Sequence, residues 1–174
     1  MNDPEPPDPS ASADLSHIES DAAGEQRSRM VDVGRKAPTR RTARARALVE
    51  FPAGVLEGLL AGGGPKGPIE EVARVAGILA AKRTDELVPM CHTLPLDAVE
   101  IRFEARDDRV LEVACTASCT GPTGVEMEAM VGASVAALTV YDMTKAVSKG
   151  IRLGAVELVE KTGGKSGTWR RGDG

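Results

Sequence analysis

Hydrophobic and polar residues alternate along three stretches of the chain. Over 42–51 every odd position is apolar and arginines occupy two of the even ones, and the same two-residue period recurs over 99–106 and 111–118. This period is typical of a strand with one buried face, so we predict three strands, the last two joined in a hairpin through residues 107–108. A fourth strand, with a less regular pattern, is predicted over 152–159.

Three helices are predicted in the intervals between these strands. One over 52–60 starts at a proline and stops at a run of glycines, and one over 69–83 has a broad apolar stripe. The longest, over 125–147, has no charged residue between positions 129 and 141. This order of elements predicts an α+β domain, close to the ferredoxin-like split βαβ fold, with helices on one face of a mainly antiparallel four-stranded sheet.

The longest helix also predicts assembly. A helix that is apolar on every side must be covered on every side, and a sheet covers only one of them. We therefore expect a homo-oligomer with contacts through this helix, where small residues permit close approach: Gly132, Ala133, Ser134, Ala136 and Ala137.

Composition and charge refine this picture. The chain has 174 residues, of which 41% are hydrophobic and 28% charged, values that fit one main soluble domain. Residues 1–14, rich in Pro, Asp and Ser, predict a disordered acidic tail, followed by a domain over 15–169 and a flexible C-terminus over 170–174. All 22 Lys and Arg residues lie after position 26, whereas seven of the 26 acids precede position 26, so the domain suits an anionic ligand.

The sequence disfavours several classes of protein. Three cysteines without a CxxC spacing and only two histidines predict neither a disulfide framework nor a metal site, and they suit a reducing cytoplasm. No apolar run approaches the roughly 20 residues that span a bilayer, so we expect no membrane partner. Four scattered aromatic rings offer no stacking platform for nucleic acid. The six basic residues of 35–46 leave an RNA-binding module as a rival, although strand alternation favours a solvated face there.

Two glycine-rich segments carry lysines. Gly62–Gly67 (GGGPKG) lacks the Ser or Thr that follows the lysine of a Walker loop, so it either aims Lys66 at a phosphate or forms a solvated linker. Gly163–Gly167 (GGKSG) carries Lys165 in either an anion-binding tail or a frayed C-terminus.

A loop bracketed by two prolines contains Cys91 and His92. An imidazole exchanges a proton near neutral pH and suits a binding loop, but a lone histidine is also common as a structural residue. Cys91 is the nucleophile to consider, but no second histidine or other base is visible to act as its partner, which disfavours thiol catalysis.

Three of the charged residues in the longest helix are rare polar positions in an otherwise apolar segment: Glu128, Asp142 and Lys145. Asp142 and Lys145 share a face, where they form either a proton-transfer pair or a structural ion pair at an oligomer contact. Glu128 precedes Asp142 on the same helix by about 21 Å, so the two carboxyl groups cannot act on one reacting atom within a single chain. Either the ligand is long or two subunits build the site, and the apolar helix favours the second.

Short motifs in a fixed order carry a resemblance to a known family. They are Lys66-Gly67, Ala76-Gly77, Ala80–Thr84, Cys91-His92, Gly124–Ala129, Ser134–Met143 and Lys161–Gly167. With likeness from Leu15 to Trp169, the chain resembles the cyclic pyranopterin monophosphate synthase family of molybdenum-cofactor biosynthesis. The resemblance implies a ferredoxin-like protomer in a homohexamer, a trimer of dimers, with active sites at subunit interfaces. It implies a phosphorus–oxygen lyase that converts 3′,8-cyclo-7,8-dihydroguanosine 5′-triphosphate to cyclic pyranopterin monophosphate and pyrophosphate.

The resemblance also implies roles for individual residues. Asp142 takes the acid–base position, with Lys145 as its partner and Lys66 as a third catalytic residue. Substrate contacts are implied for Met90, Cys91, His92, Met127, Glu128, Lys161 and Lys165. No metal ligand and no resident cofactor are implied, and a divalent ion accompanying the triphosphate is left open. The rival is a non-catalytic, nucleotide-binding regulatory oligomer, which predicts loss of Asp142 or Lys145, and both are present.

Overall fold

The computed structural model describes residues 18–20, 25–62, 64–165 and 167–173, and it divides into two units after Val33. In the first unit, β1 (Ile18–Ser20) pairs antiparallel with β2 (Gln26–Ser28). All further elements belong to the second unit. The acidic tail predicted over 1–14 lies outside the described residues.

The second unit has an antiparallel sheet with helices on one face. Its described strands are β3 (Thr39–Glu50), β4 (Leu96–Ala105), β5 (Val110–Gly121), β6 (Arg152–Thr162) and β7 (Trp169–Arg170). They form one sheet in the order β4-β5-β3-β6-β7. The described helices are α1 (Val55–Gly62), α2 (Ile69–Ala81), α3 (Thr84–Leu87) and α4 (Glu126–Thr144). The predicted α+β class is confirmed.

Strand β3 is the centre of this sheet, paired with β5 on one side and β6 on the other. Its odd-numbered residues from Ala43 to Val49 are at most 1% exposed and pack into the core with α4. On the opposite face, Arg44 and Arg46 each lie 3.7 Å from the buried carboxylate of Glu112. The alternation predicted for this strand is confirmed, and these two arginines are paired with an acid of the chain itself.

Helix α4 is covered from two sides within one chain. The sheet covers one side and α2 packs along another. The two helix backbones come close at Gly77, where an added Cβ would lie 2.8 Å from the carbonyl oxygen of Gly132. Small residues of α4 are predicted from the sequence to lie in contacts between chains, but most of them are buried within the single chain. The prediction is therefore wrong for Gly132, Ala133, Ala136 and Ala137.

The remaining differences from the predicted elements lie at edges and short segments. The sheet has five strands rather than four because the two residues of β7 pair with Glu160 and Lys161 of β6. The boundary predicted at residue 169 falls inside β7. The first helix begins at Val55 rather than at residue 52, because a turn with Gly54 at φ +75° precedes it. Within the described part of the chain, none of the helices has the length and apolar character needed to span a bilayer.

Replacing Gly77 with alanine is expected to destabilise the domain by roughly 1–3 kcal/mol, because the methyl group overpacks the crossing of α2 and α4. The added Cβ would also lie 3.0 Å from Ile101 Cδ1. Gly58→Ala in α1 is the matched control, since nothing lies within 4 Å of its added Cβ. The control is expected to gain roughly 0.5–1 kcal/mol from helix propensity. Urea unfolding measures the free energy of unfolding of both variants. A Gly77→Ala variant as stable as the wild type would contradict the close packing of α2 against α4.

Candidate functional site

Three charged side chains meet at the C-terminal end of α4. Lys66 Nζ donates a hydrogen bond to Asp142 Oδ2 at 2.7 Å, and Lys145 Nζ lies 2.6 Å from Asp142 Oδ1. The three side chains are between 44% and 51% exposed, so the group faces solvent. We call it the lysine–aspartate cluster. The structure therefore brings together the three residues for which the family resemblance implies catalysis.

Lys66 reaches this cluster from a tight turn between α1 and α2. The Gly67 N–H donates to the Gly64 carbonyl at 3.1 Å, which leaves Pro65 and Lys66 at the two central positions. Pro65 presets the backbone for the turn, and Gly67 has a φ of +101° that glycine adopts without strain. The turn and the contact with Asp142 make this segment a positioned loop rather than a free linker.

The two lysines control the ionisation of Asp142. Hydrogen bonds from Lys145, and then from Lys66, lower the pKa of Asp142 to about 2. The carboxylate in turn raises the pKa of Lys145 through the same hydrogen bond. At neutral pH, Asp142 is therefore a carboxylate and Lys145 an ammonium. A carboxylate with so low a pKa is a weak base until one of its lysines is drawn towards another anion.

A cleft of about 710 Å³ opens at the other end of α4. Of its described lining side chains, five are cationic and one is acidic. The charged lining residues are Arg35, Lys36, Arg41, Lys161, Lys165 and Glu126, and we call this site the basic cleft. Lys161 Nζ lies 2.9 Å from Glu126 Oε1, so the acid neutralises only part of the positive charge. The cleft therefore suits a ligand with several negative charges.

Arg41 has an unusual position in the basic cleft. It lies on β3 opposite Cys119 of β5, and its Nη2 donates to the carbonyl oxygen of Pro122 at 3.4 Å. Its Nε is buried without a hydrogen-bond partner, and no other buried side-chain nitrogen or oxygen among the described residues shares that condition. A buried N–H without an acceptor costs free energy.

Among the charged residues of this cleft, only Lys161 and Lys165 are predicted as site residues from the sequence. Arg41 belongs to the basic run over 35–46, which is predicted to form one solvated face with Arg44 and Arg46. The signal that separates them is parity, because position 41 is odd like the buried positions of β3, whereas 44 and 46 are even. Glu126 carries no such signal, since its contact with Lys161 arises only when β6 pairs with β3.

Glu128 lies beside the proline-bracketed loop at the same end of α4. It is 4% exposed, and burial raises its pKa, with smaller contributions from the negative charges of Glu126 and Asp85. Burial, followed by the charge of Glu128, likewise raises the pKa of the Cys91 thiol. A thiol with a raised pKa is a poor nucleophile at neutral pH. This agrees with the sequence, which disfavours thiol catalysis by Cys91.

The predicted site residues therefore separate into two groups. Helix α4 runs without interruption from Glu126 to Thr144, which puts Glu128 and Asp142 about 21 Å apart along its axis. Within one chain the structure does not bring the two groups together. Around the N-terminal end of the helix are Glu128, Met127, Lys161, Lys165 and Cys91, whose loop also carries Met90 and His92, and at the other end are Lys66, Asp142 and Lys145. In the described ranges, no three His, Cys, Asp or Glu side chains are grouped so that they could hold a metal ion.

Comparison with known proteins gives matches over most of the chain. The model of the MoaC family matches residues 30–164, which include the lysine–aspartate cluster and all of the basic cleft except Lys165. Cyclic pyranopterin monophosphate synthase of Novosphingobium aromaticivorans is 51% identical over 157 residues, or 90% of this chain and 97% of that protein. The proteins of the same name from Chloroflexus aggregans and Thermomicrobium roseum are 51% and 48% identical, and the matches cover 90% and 92% of this chain and 93% and 95% of theirs.

Replacing Glu128 with glutamine is expected to raise the melting temperature at pH 7.5 and to change it less at pH 4. The pKa of Glu128 is higher in the folded chain than in the unfolded one, so its ionisation at higher pH opposes folding, and an amide removes that cost. Glu57→Gln, at an exposed position of α1, is the control and is expected to show no such gain. A Glu128→Gln variant that melts at a lower temperature at pH 7.5 would refute the burial argument.

Proposed function

Because this chain belongs to the MoaC family, we propose that it converts 3′,8-cyclo-7,8-dihydroguanosine 5′-triphosphate to cyclic pyranopterin monophosphate and pyrophosphate in molybdenum-cofactor biosynthesis. The observation that carries the proposal is the direct contact of Lys66 and Lys145 with Asp142. The rival, a non-catalytic nucleotide-binding oligomer, gains no support, since the relatives that cover nearly the whole chain bear the name of an enzyme.

We propose that the triphosphate binds in the basic cleft. Lys161, Lys165 and Arg41 there supply cationic donors, which make short, charge-assisted hydrogen bonds to phosphate oxygens. The N-terminus of α4 adds the partial positive charge of a long helix.

The purine end of the substrate is proposed to lie beside Glu128. A guanine-type ring presents adjacent N–H groups, and a carboxylate accepts two such hydrogen bonds at once. Met127, which is 38% exposed, offers a polarisable thioether for the ring face. Met90, Cys91 and His92 are half-buried in the neighbouring loop and complete this end of the pocket.

The lysine–aspartate cluster is proposed to move the protons. When a phosphate draws Lys66 or Lys145 away, the pKa of Asp142 returns towards its usual range and the carboxylate becomes a competent base. A ribose oxygen then forms a bond to the innermost phosphorus, the bond from that phosphorus to its bridging oxygen breaks, and pyrophosphate leaves. The hydroxyl proton goes to a base of the site, and the cationic groups stabilise the developing charge.

No resident cofactor enters this proposal, because ring opening, ring closure and phosphate cyclisation together involve no net oxidation or reduction. The same acid–base groups serve the proton transfers of ring opening and closure. A divalent ion, where one is needed, arrives with the triphosphate as part of the substrate.

We further propose that a second copy of the chain completes each site. One substrate cannot contact both Asp142 and Glu128, which lie about 21 Å apart along one helix, whereas a neighbouring protomer can supply the missing half. Exposed apolar side chains on α2 and α4, which a partner would cover, support this arrangement: Val72, Val75, Leu79 and Leu138 are between 42% and 56% exposed.

The protomer is proposed to be ferredoxin-like and to assemble as a homohexamer, a trimer of dimers, in the cytoplasm. The strand order supports the fold, because β5 lies between β3 and β4 and is antiparallel to both, as in a split βαβ unit. The hexamer rests on the family resemblance. The cytoplasmic location is supported by the free thiols of Cys91, Cys115 and Cys119.

Asp142→Asn is expected to fold normally and to lower the turnover of the cyclic triphosphate by roughly 10²–10⁴-fold, the usual contribution of a general acid or base. Mass spectrometry of the products measures it. Asp108→Asn, at an exposed position in the hairpin between β4 and β5, is the matched control and is expected to keep full activity. Full turnover by Asp142→Asn would remove this carboxylate from the mechanism.

Mixing two inactive variants tests the shared site. Asp142→Asn disables one end of α4 and Lys161→Ala the other, so randomly mixed protomers are expected to recover roughly a quarter of the wild-type rate, because one pocket in four then has both halves intact. A mixture of Asp142→Asn with Lys145→Ala, both at the same end, is the control and is expected to recover nothing. Absence of recovery in a mixed assembly verified by native mass spectrometry would contradict the shared site.

A further inference from the structure

Two adjacent glycines pass directly over β3 where it enters the basic cleft. Gly163 and Gly164 follow β6 with φ values of +97° and +74°, a backbone region that glycine adopts readily. A Cβ on Gly163 would lie 2.2 Å from the carbonyl oxygen of Arg40. A Cβ on Gly164 would lie 1.8 Å from Nη1 and 2.7 Å from Cζ of Arg41. The loop backbone therefore lies against the main chain at one glycine and against a guanidinium at the next.

The two contacts have different consequences for substitution. A carbonyl oxygen inside a paired strand cannot move without disturbing the sheet, so a side chain at position 163 would strain the fold. A guanidinium is the end of a long, flexible side chain and is able to swing aside. A side chain at position 164 would therefore move Arg41 at a much smaller cost to folding.

The guanidinium of Arg41 is held between two pieces of backbone. The Pro122 carbonyl accepts a hydrogen bond from Nη2 on one side, and Gly164 closes against Nη1 and Cζ on the other. Arg41 also lines the basic cleft, so these two contacts fix the guanidinium at the wall of the cleft before a ligand arrives.

We propose that Gly164 is a positioning residue. Because it has no side chain, the Arg41 guanidinium can pack against its backbone and keep the orientation that binds phosphate oxygens in the basic cleft. The inference rests on the proposed function, in which this cleft takes the triphosphate, and it deepens that function by adding a residue that acts through Arg41. A donor fixed before the ligand arrives loses less freedom on binding than a mobile one. A methyl group at position 164 removes this advantage.

The test uses inorganic tripolyphosphate as the probe and titration calorimetry of the full chain. Gly164→Ala is expected to weaken its binding by roughly tenfold or more, the usual effect of losing a hydrogen bond to a charged group. Gly167→Ala is the matched control, because Gly167 has a similar φ of +64° but nothing lies within 4 Å of an added Cβ. The control carries the same backbone strain and is expected to keep the wild-type affinity. Wild-type affinity in Gly164→Ala would overturn the proposal.

A double-mutant cycle separates positioning from a general effect on structure. In an Arg41→Ala background there is no guanidinium to displace, so adding Gly164→Ala is expected to change the affinity no further. Two losses that simply add would overturn the proposal. Gly164→Asn serves if the alanine variant folds poorly, because asparagine tolerates a positive φ better and still carries the Cβ.

Steady-state kinetics give a second readout. Gly164→Ala is expected to raise KM for the cyclic triphosphate by roughly the same tenfold factor and to change kcat far less, the pattern of lost binding rather than lost chemistry. An unchanged KM with a reduced kcat would overturn the proposal. Product formation by the wild-type chain is measured separately. If the wild-type chain forms no product, the proposed function is wrong. The binding measurements with tripolyphosphate test only the role of Gly164.

Discussion

The close packing of α4 against the sheet fixes the positions of the charged groups at both ends of the helix. Small residues make this contact possible: a Cβ on Gly132 would lie 2.6 Å from Sγ of Cys115, and Ala45 beneath the helix is fully buried. A helix packed so closely against the sheet and the neighbouring helix has no room to slide or rotate. Glu128 and Asp142 are consequently held at a fixed separation, and every step of the proposed chemistry has to respect it.

The sheet was predictable from the sequence because each long strand buries one face and exposes the other. In β3 this parity distinguishes even the two kinds of arginine, with Arg41 on the helix side and Arg44 on the side of Glu112. The two-residue strand β7 is too short to show any period, and its pairing depends on the register of β6. Which surface covers the apolar side of α4 was not predictable either, because small residues suit a contact within a chain as well as one between chains.

The candidate site was predictable to the extent that local spacing decides it. The contact of Asp142 with Lys145 follows from their positions on one helical face, whereas Lys66 reaches Asp142 from a turn far away in the sequence, and only the family motifs connect them. The basic cleft at the other end of α4 could not be predicted from local sequence patterns. Its residues converge only when β3, β6 and the loop before α4 are assembled, so the pairing of Glu126 with Lys161 has no counterpart in the sequence.

The uninterrupted length of α4 also bears on how local damage would spread through an assembly. In the proposed arrangement each polypeptide contributes its carboxylate to one pocket and its arginine and lysines to another. A chain damaged at both ends of the helix would impair both pockets to which it contributes. A chain damaged at one end would impair only one of them and leave the other intact.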